Sequence, residues 1–279
     1  NGGGGGGSGV GSGDGGGSAA TLSSEERSYV CEALVVLSNA SGSHEMQSAL
    51  MFDLLAPLVR EWEMCRLAEA CGSPQALLSF AGVPSGAVGP QALATRRRRL
   101  TLTQNLEQLL AIYRGAEPLS GDPAPLAALA EPLRQRMPLL LQLTASIHGV
   151  WGNANVLPPG WDLVLQPSPA QRAPLLGAPV PTLPAMTLLL QGGAEAVAAA
   201  TEHLAHWLEQ TREECYKLIC MACVRYGAIE GSPNLLGQLG SVVAAAVGGM
   251  QTRHLALLAR LFVQPLLVGW RAEGRGESA

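Results

Sequence analysis

Apolar residues recur at helical spacing along most of this chain. Ser23, with Glu26 three residues later, forms a capping box, and the positions that follow share one helical face: Tyr29, Val30, Ala33, Leu34 and Leu37. Gly42 ends this helix, and Ser43 can cap a second one with the apolar positions Met46, Leu50, Leu54, Leu55, Leu58 and Trp62. Pro57 removes one hydrogen bond inside the second helix and predicts a kink. Two amphipathic helices joined by so short a turn predict an antiparallel hairpin.

The helical pattern returns in the later parts of the chain. Thr101 and Gln104 form a capping box, Gly115 ends the helix that follows, and its apolar face is Leu102, Leu106, Leu109, Leu110 and Tyr113. Further helices are predicted over 125–150, 204–218, 233–248 and 255–266. No segment alternates between apolar and polar residues as a half-buried strand does. The predicted fold class is therefore all-α, an α-solenoid of about three to four HEAT-like antiparallel helix pairs.

Composition divides the chain into a helical region and less regular parts. Residues 1–20 form a Gly/Ser-rich tract, which we expect to be disordered because it has almost no apolar surface to bury. The solenoid segment is predicted over 21–270, interrupted by a loop at 72–95 and by a Pro-rich loop at 151–193. We expect a disordered tail at 271–279. Because the chain begins with Asn rather than Met, we expect it to be a fragment or a processed product.

Composition and charge narrow the possible functions. Hydrophobic residues make up 47% of the chain and aromatic residues only 4%, which favours a large helical core over sheets. The net charge of -4 means that contact with a polyanion needs a local basic patch. The most apolar run, 235–250, is too short to span a membrane, so no membrane insertion is expected. Six cysteines without a signal peptide predict reduced thiols in the cytosol or nucleus.

The sequence contains one group of potential zinc ligands, namely His203, His206, Cys215, Cys220 and Cys223. Cys220 and Cys223 have the CxxC spacing that zinc sites use. All five lie in one predicted helical region, however, and four ligands cannot converge from a single straight helix. Packed thiols and a solvated histidine pair are therefore favoured over zinc. No spacing defines a catalytic site, so no catalytic residue, cofactor or metal is predicted.

Four consecutive arginines, Arg96 to Arg99, precede the helix that is predicted to start at Thr101. Cations at a helix N-terminus oppose the helix dipole, which places this run in the preceding turn. Three interpretations are weighed: a solvated basic turn, a membrane flank, and contact with the phosphates of RNA. In such a turn the guanidinium groups could spread along a phosphate backbone and release counterions. Arg96, Arg97, Arg98 and Arg99 are therefore the candidate RNA-binding residues.

Several segments, taken in order, resemble one family of transport proteins. They are "SSEERSYVCEALVVLSNASG", "LMFDLLAPLVREW", "LLLQLTASIHGVWG", "HLAHWLEQTREECYKLI" and "RHLALLARLFVQPLL". They are similar to a central block of the exportin-five/HASTY type of nuclear export receptor, within the importin-β (karyopherin) superfamily. The resemblance covers 22–270, with breaks at 72–95 and 151–195.

The resemblance implies a HEAT-repeat receptor that shuttles between nucleus and cytoplasm and is not an enzyme. Its implied partners are Ran-GTP, the FG repeats of the nuclear pore, and a cargo of structured small RNA such as microRNA precursors, or tRNA or protein complexes. GTP would enter only through bound Ran. The alternatives are a karyopherin with protein cargo, a HEAT-repeat interaction scaffold outside nuclear transport, and an enzyme with zinc at Cys220 and Cys223.

Overall fold

The computed structural model describes residues 22–84, 87–117, 123–167 and 186–272 apart from Gly231, together with isolated positions between 172 and 184. Within those residues the chain is all-α and contains no strand, as the sequence predicts. The helices are α1 (Ser24–Ala40), α2 (His44–Met64), α3 (Leu67–Ala70), α4 (Pro74–Phe80), α5 (Ala92–Gly115), α6 (Pro123–Gly152), α7 (Met186–Gln191), α8 (Ala194–Val224), α9 (Pro233–Gly249), α10 (Thr252–Leu258) and α11 (Gln264–Ala272). A wide π turn, Ala259–Val263, joins α10 to α11. The tract at 1–20 lies outside the described residues. Of the tail predicted at 271–279, Arg271 and Ala272 are instead the last residues of α11, and 273–279 lie outside the described residues.

The first hairpin forms as the capping signals predict. The Ser23 hydroxyl accepts a hydrogen bond from the Glu26 amide at 3.2 Å, and the Glu26 carboxylate accepts one from the Ser23 amide at 2.7 Å. Ser43 caps α2 in the same way, accepting from the Met46 amide at 3.2 Å. Pro57 is accommodated within the 21 residues of α2. Local capping chemistry therefore fixes both starts of this hairpin.

The apolar face that the sequence predicts for α1 points away from the next helix pair. The prediction from its pattern that this face is buried is therefore wrong. Tyr29 is 62% exposed and Leu37 is 68% exposed, whereas the buried positions of α1 are Cys31, Val35 and Ser38. α1 approaches α5 very closely, since a Cβ atom on Gly115 would lie 2.9 Å from a backbone oxygen of α1. Short side chains fill this narrow contact, and the larger apolar residues are left on the open side.

The long helices stack in two rows, which is the arrangement of an α-solenoid. One row contains α1, α5, α8 and then α10 with α11, and each member contacts the next. The second row contains α2 with α4, then α6, then α9. Successive helices of the first row run parallel, because contacts advance in the same direction along both members of each adjacent pair. Each buried Leu between the rows stabilises the stack by about 1.5–3 kcal/mol.

Three side chains, one from α1 and two from the residues just after α8, hold the C-terminal end of α5, whose last carbonyl groups have no partner within the helix. The Tyr226 hydroxyl lies 2.6 Å from the carbonyl oxygen of Tyr113 and 2.8 Å from that of Ala116, so its single proton is shared between them. The Asn39 amide donates to the carbonyl of Gly115 at 2.7 Å. Arg225 donates to the carbonyl of Arg114 at 2.9 Å. The ends of α1, α5 and α8 are thereby joined at one place.

A buried polar cluster joins α6, α8 and α10 at the other side of the stack. Arg212 is completely buried, lies 4.5 Å from the centre of the Trp151 ring, and donates to Nδ1 of His254 at 2.9 Å. Nε2 of His148 lies 2.6 Å from the Tyr216 hydroxyl. Burial lowers the pKa of His148 to about 4 and that of His254 to about 3, with the Arg212 charge contributing to both. Both imidazoles are therefore neutral at pH 7.

The two expected loops contain more regular structure than the sequence indicates. Within 72–95, Ser73 caps α4 by accepting from the Ala76 amide at 3.1 Å, and Gly89–Gln91 forms a 3-10 turn that leads into α5. The expected loop at 72–95 is thus wrong over α4 and over the first turn of α5. Within 151–193, the described residues form two 3-10 turns and α7, and Trp161 and Val164 are buried in the core.

Candidate functional site

The four arginines lie inside α5 rather than in a turn before it. α5 starts at Ala92, so the predicted start at the Thr101 capping box is wrong. Ala92, Thr95, Arg99 and Leu102 form a continuous buried face of the added turns. Packing of this face outweighs the unfavourable interaction of the arginines with the helix dipole, which is about 0.3–1 kcal/mol for an exposed cation.

Arg99 belongs to the core and is not available to a ligand. It is 5% exposed, and its carbonyl oxygen accepts hydrogen bonds from Nε1 of Trp207 at 3.0 Å and from the Thr103 hydroxyl at 3.2 Å. Burial, assisted by the charge of Arg96, lowers the pKa of Arg99 to about 10. No ion pair of Arg99 exists within the described part of the chain. The Arg99 guanidinium is therefore enclosed in the core, and RNA binding by the arginine run stays a prediction.

The other three arginines are exposed and point to two different surfaces. The Arg98 guanidinium lies 5.8 Å from the centre of the Phe80 ring, in a cation–π contact worth about 0.5–1 kcal/mol at an exposed site. Arg96 and Arg97 face a groove between α1, α2 and α5. The run is thus divided among the core, an aromatic contact and an open groove.

The groove has a volume of about 570 Å³, and a third arginine from a different helix lies in its wall. Arg27, in the first turns of α1, faces Arg96 and Arg97 across it, and the N-terminal end of α1 contributes Ser24. We define these three arginines as the arginine groove. Glu61 is the carboxylate in the wall, and it accepts a hydrogen bond from the Asn105 amide at 2.7 Å. Three cations against one carboxylate leave the wall net positive.

Sequence reasoning missed Arg27 because it is distant along the chain from the arginine run. The available signal was the stacking of equivalent helices, which brings the start of α1 beside the middle of α5. Gln108 of α5, for example, donates to the sulfur of Cys31 at 3.2 Å. Gln104 and Gln108 also line the groove and add neutral hydrogen-bonding groups.

The potential zinc ligands are not brought together. No group of three or more His, Cys, Asp or Glu residues able to hold a metal ion occurs in the described ranges. Cys215, Cys220 and Cys223 are buried, and burial raises the pKa of Cys220 and of Cys223 to about 12. Nε2 of His203 instead lies 2.9 Å from the carbonyl oxygen of Pro184. These thiols are packed core groups in their protonated form.

Helix pairs that stack on one another define an α-solenoid, a class of proteins that bind partners across an extended surface. In this chain the surface includes an open, charged groove. Across the described helices, none combines the length and apolar character needed to cross a bilayer. A model of the Exportin-5 family matches residues 18–272, which includes every helix from α1 to α11. The chain therefore belongs to the Exportin-5 family, whose members are nuclear export receptors rather than enzymes. Comparisons with curated proteins and with solved structures gave no match.

Proposed function

We propose that this chain is a segment of a karyopherin that exports structured small RNA from the nucleus to the cytoplasm together with Ran-GTP. The single observation that carries this proposal is the Exportin-5 family match over 18–272. The proposed cargo is a structured small RNA such as a microRNA precursor, with tRNA and protein complexes as the alternatives. GTP takes part only as the nucleotide of bound Ran, and passage through the pore uses contacts with FG repeats.

The architecture supports this proposal because a solenoid presents one continuous surface along its rows of helices. Cargo and Ran-GTP bound to the same receptor would each hold the rows in one curvature. If they favour the same curvature, each raises the affinity of the receptor for the other, and the coupling is reciprocal. Hydrolysis of GTP on Ran would remove that support and release the cargo in the cytoplasm.

RNA is the favoured cargo because the exposed basic groups are arginines on an open surface. The deep major groove of duplex RNA excludes side chains, so such duplexes are bound mostly through phosphates and 2′-hydroxyl groups. Arg96 and Arg97 meet this requirement, since both are exposed and share a groove. Arg98 is exposed as well but points toward Phe80.

The test is a binding assay on the intact receptor that contains this chain. Immobilised receptor should retain Ran locked in the GTP state and not Ran in the GDP state, and duplex RNA should increase that retention. A tagged receptor should be found in both nucleus and cytoplasm. Equal binding of both nucleotide states, or of neither, would refute the export proposal and favour a HEAT-repeat scaffold outside nuclear transport.

A further inference from the structure

We propose that a small cavity between α2, α5 and α6 is a binding site for a carboxylate, which an acidic side chain of a protein partner supplies. The cavity has a volume of about 30 Å³ and contains none of the three arginines of the arginine groove. Trp62, Tyr113 and Arg136 contribute its polar groups, and we call it the donor cavity. The site does not depend on the proposed function, because it follows from the side chains that line the cavity.

Two polar groups at the donor cavity are buried without a hydrogen-bond partner. Trp62 is 5% exposed and Tyr113 is fully enclosed, yet neither Nε1 of Trp62 nor the Tyr113 hydroxyl oxygen has a partner within the described residues. A buried donor that stays unpaired costs the free energy of its lost hydration. Two such groups at one cavity indicate a ligand atom that accepts hydrogen bonds.

A positive charge lies at the same cavity. Burial, helped by Tyr226, raises the pKa of Tyr113, whereas the charge of Arg136 lowers it, which places the guanidinium near the Tyr113 hydroxyl. Arg136 has no ion-pair partner among the described residues. The Trp62 indole and the guanidinium can only donate hydrogen bonds, and the protonated hydroxyl can donate one as well. The donor cavity is therefore suited to an anion.

A carboxylate matches this set of donors better than water or phosphate does. A volume of about 30 Å³ has room for one or two water-sized groups, which suits the two oxygens of a carboxylate but not the four of a phosphate. A water molecule also donates two hydrogen bonds, and among the lining side chains only the Tyr113 hydroxyl can accept one. The other lining residues are apolar, namely Leu55, Leu58, Val59, Leu109 and Pro132.

The apolar walls favour a carboxylate that is carried on a hydrocarbon stem, as in the side chains of Asp and Glu. Val59 and Pro132 are half-buried, like Arg136, so these three residues form the edge of the cavity. The methylene groups of an acidic side chain can contact the apolar edge while its oxygens reach the buried donors. Because α-solenoids bind partners across an extended surface, we assign this side chain to a protein partner.

The experiment follows the indole N–H signals of the isotope-labelled chain by two-dimensional NMR. The chain has five tryptophans, and Trp62→Phe identifies the Trp62 signal by its loss. If that variant fails to fold, the same signal is identified by substituting the other four tryptophans one at a time. Three probes are titrated: a capped tripeptide with a central Glu, the same peptide with Gln, and acetate. The Trp207 signal is the internal control, because its N–H already donates to the carbonyl of Arg99 at 3.0 Å.

The Glu peptide should shift the Trp62 signal with saturation, leave the Trp207 signal in place, and bind about tenfold or more tightly than the Gln peptide. Tyr113→Phe should weaken binding of the Glu peptide about tenfold, because a hydrogen bond to a charged group is lost. Arg136→Gln should weaken it about two- to fivefold, since this guanidinium is partly exposed. Tyr29→Phe and Arg60→Gln, at exposed positions outside the cavity, are the matched controls and should keep the wild-type affinity.

The other outcomes each overturn a stated part of the proposal. Equal binding of the Glu and Gln peptides would show that the ligand is a neutral carbonyl group rather than a carboxylate. Binding of acetate without binding of the Glu peptide would replace the protein partner with a free small carboxylate. No shift of the Trp62 signal with any probe, or a shift that Tyr113→Phe and Arg136→Gln leave unchanged, would overturn the site itself.

Discussion

Mild acid should destabilise this protein through two buried histidines. Arg212 donates to Nδ1 of His254, so this nitrogen must be the acceptor and His254 must be neutral with its proton on Nε2. Protonation of Nδ1 would bring the N–H groups and the positive charges of Arg212 and His254 against each other in the core. At His148, Nδ1 lies 3.4 Å from the carbonyl oxygen of Val242 and Nε2 lies beside the Tyr216 hydroxyl, which suits the neutral ring.

The sign and size follow from proton linkage. Burial lowers the folded-state pKa to about 4 for His148 and about 3 for His254, against about 6.5 in the unfolded chain. Their full contribution to stability is present above pH 6.5 and is lost as the pH falls toward the folded pKa values. Each histidine then lowers the free energy of unfolding by about 1.4 kcal/mol per pH unit. Both together remove about 2.7 kcal/mol between pH 5.5 and 4.5, and Glu107, whose pKa is raised by burial, offsets a part of this loss.

Urea denaturation followed by circular dichroism at pH 7.5, 5.5 and 4.5 measures this dependence. A His148→Gln, His254→Gln double variant removes both titrating rings while keeping an amide that can accept from Arg212. Its unfolding free energy should fall much less between pH 5.5 and 4.5 than that of the wild type. His206→Gln, at an exposed position of α8, is the matched control and should keep the wild-type slope. Identical slopes in the double variant and the wild type would show that neither ring is held neutral as the structure indicates.

Three further predictions concern stability and are measured by the same denaturation assay. Tyr226→Phe leaves two buried carbonyls without their donor and should lower the free energy of unfolding by about 1–3 kcal/mol. Tyr113→Phe removes a buried hydroxyl that has no partner and should lower it by less than about 0.5 kcal/mol, so equal losses in the two variants would contradict the role of Tyr226. Gly115→Ala should lower the free energy of unfolding by about 1–3 kcal/mol because the added Cβ meets α1, whereas Gly240→Ala, which faces open space on α9, should raise it by up to about 1 kcal/mol. A change of the same sign in both variants would refute the close approach of α1 to α5. Arg99→Met should be neutral or stabilising, since it removes a buried charge without a carboxylate partner; a large loss of stability would show that the guanidinium has an essential partner.

The sequence predicts the helices well where local signals and packing agree. The hairpin of α1 and α2 starts at Ser23 and Ser43 as their capping patterns indicate. For α5, the arginine run and the Thr101 capping box both favoured a later start. Packing of the Ala92 face against neighbouring helices decided the boundary instead, and that contact lies far away along the sequence.

Burial and the candidate site were harder to predict for the same reason. The larger apolar residues of α1 are mostly exposed, because the close approach at Gly115 places Cys31, Val35 and Ser38 in the interior. Arg99 is buried although its neighbours in the run are exposed, and only the three-dimensional stack determines which one is enclosed. Arg27 joins the groove through the pairing of α1 with α5, which single-sequence periodicity does not specify. The local sequence predicts whether a segment is helical, whereas the face of the helix that is buried depends on the neighbouring helix.

The joint at the end of α5 has a mechanical consequence. Because Tyr226, Asn39 and Arg225 all bind backbone carbonyls there, a relative rotation of α1, α5 and α8 at this point would break several hydrogen bonds at once. The helical stack is therefore stiffest at the C-terminal end of α5. When the stack bends, we expect α1, α5 and α8 to pivot about this end. Such a motion would widen or narrow the opposite edge, where the first turns of α5 carry their arginines.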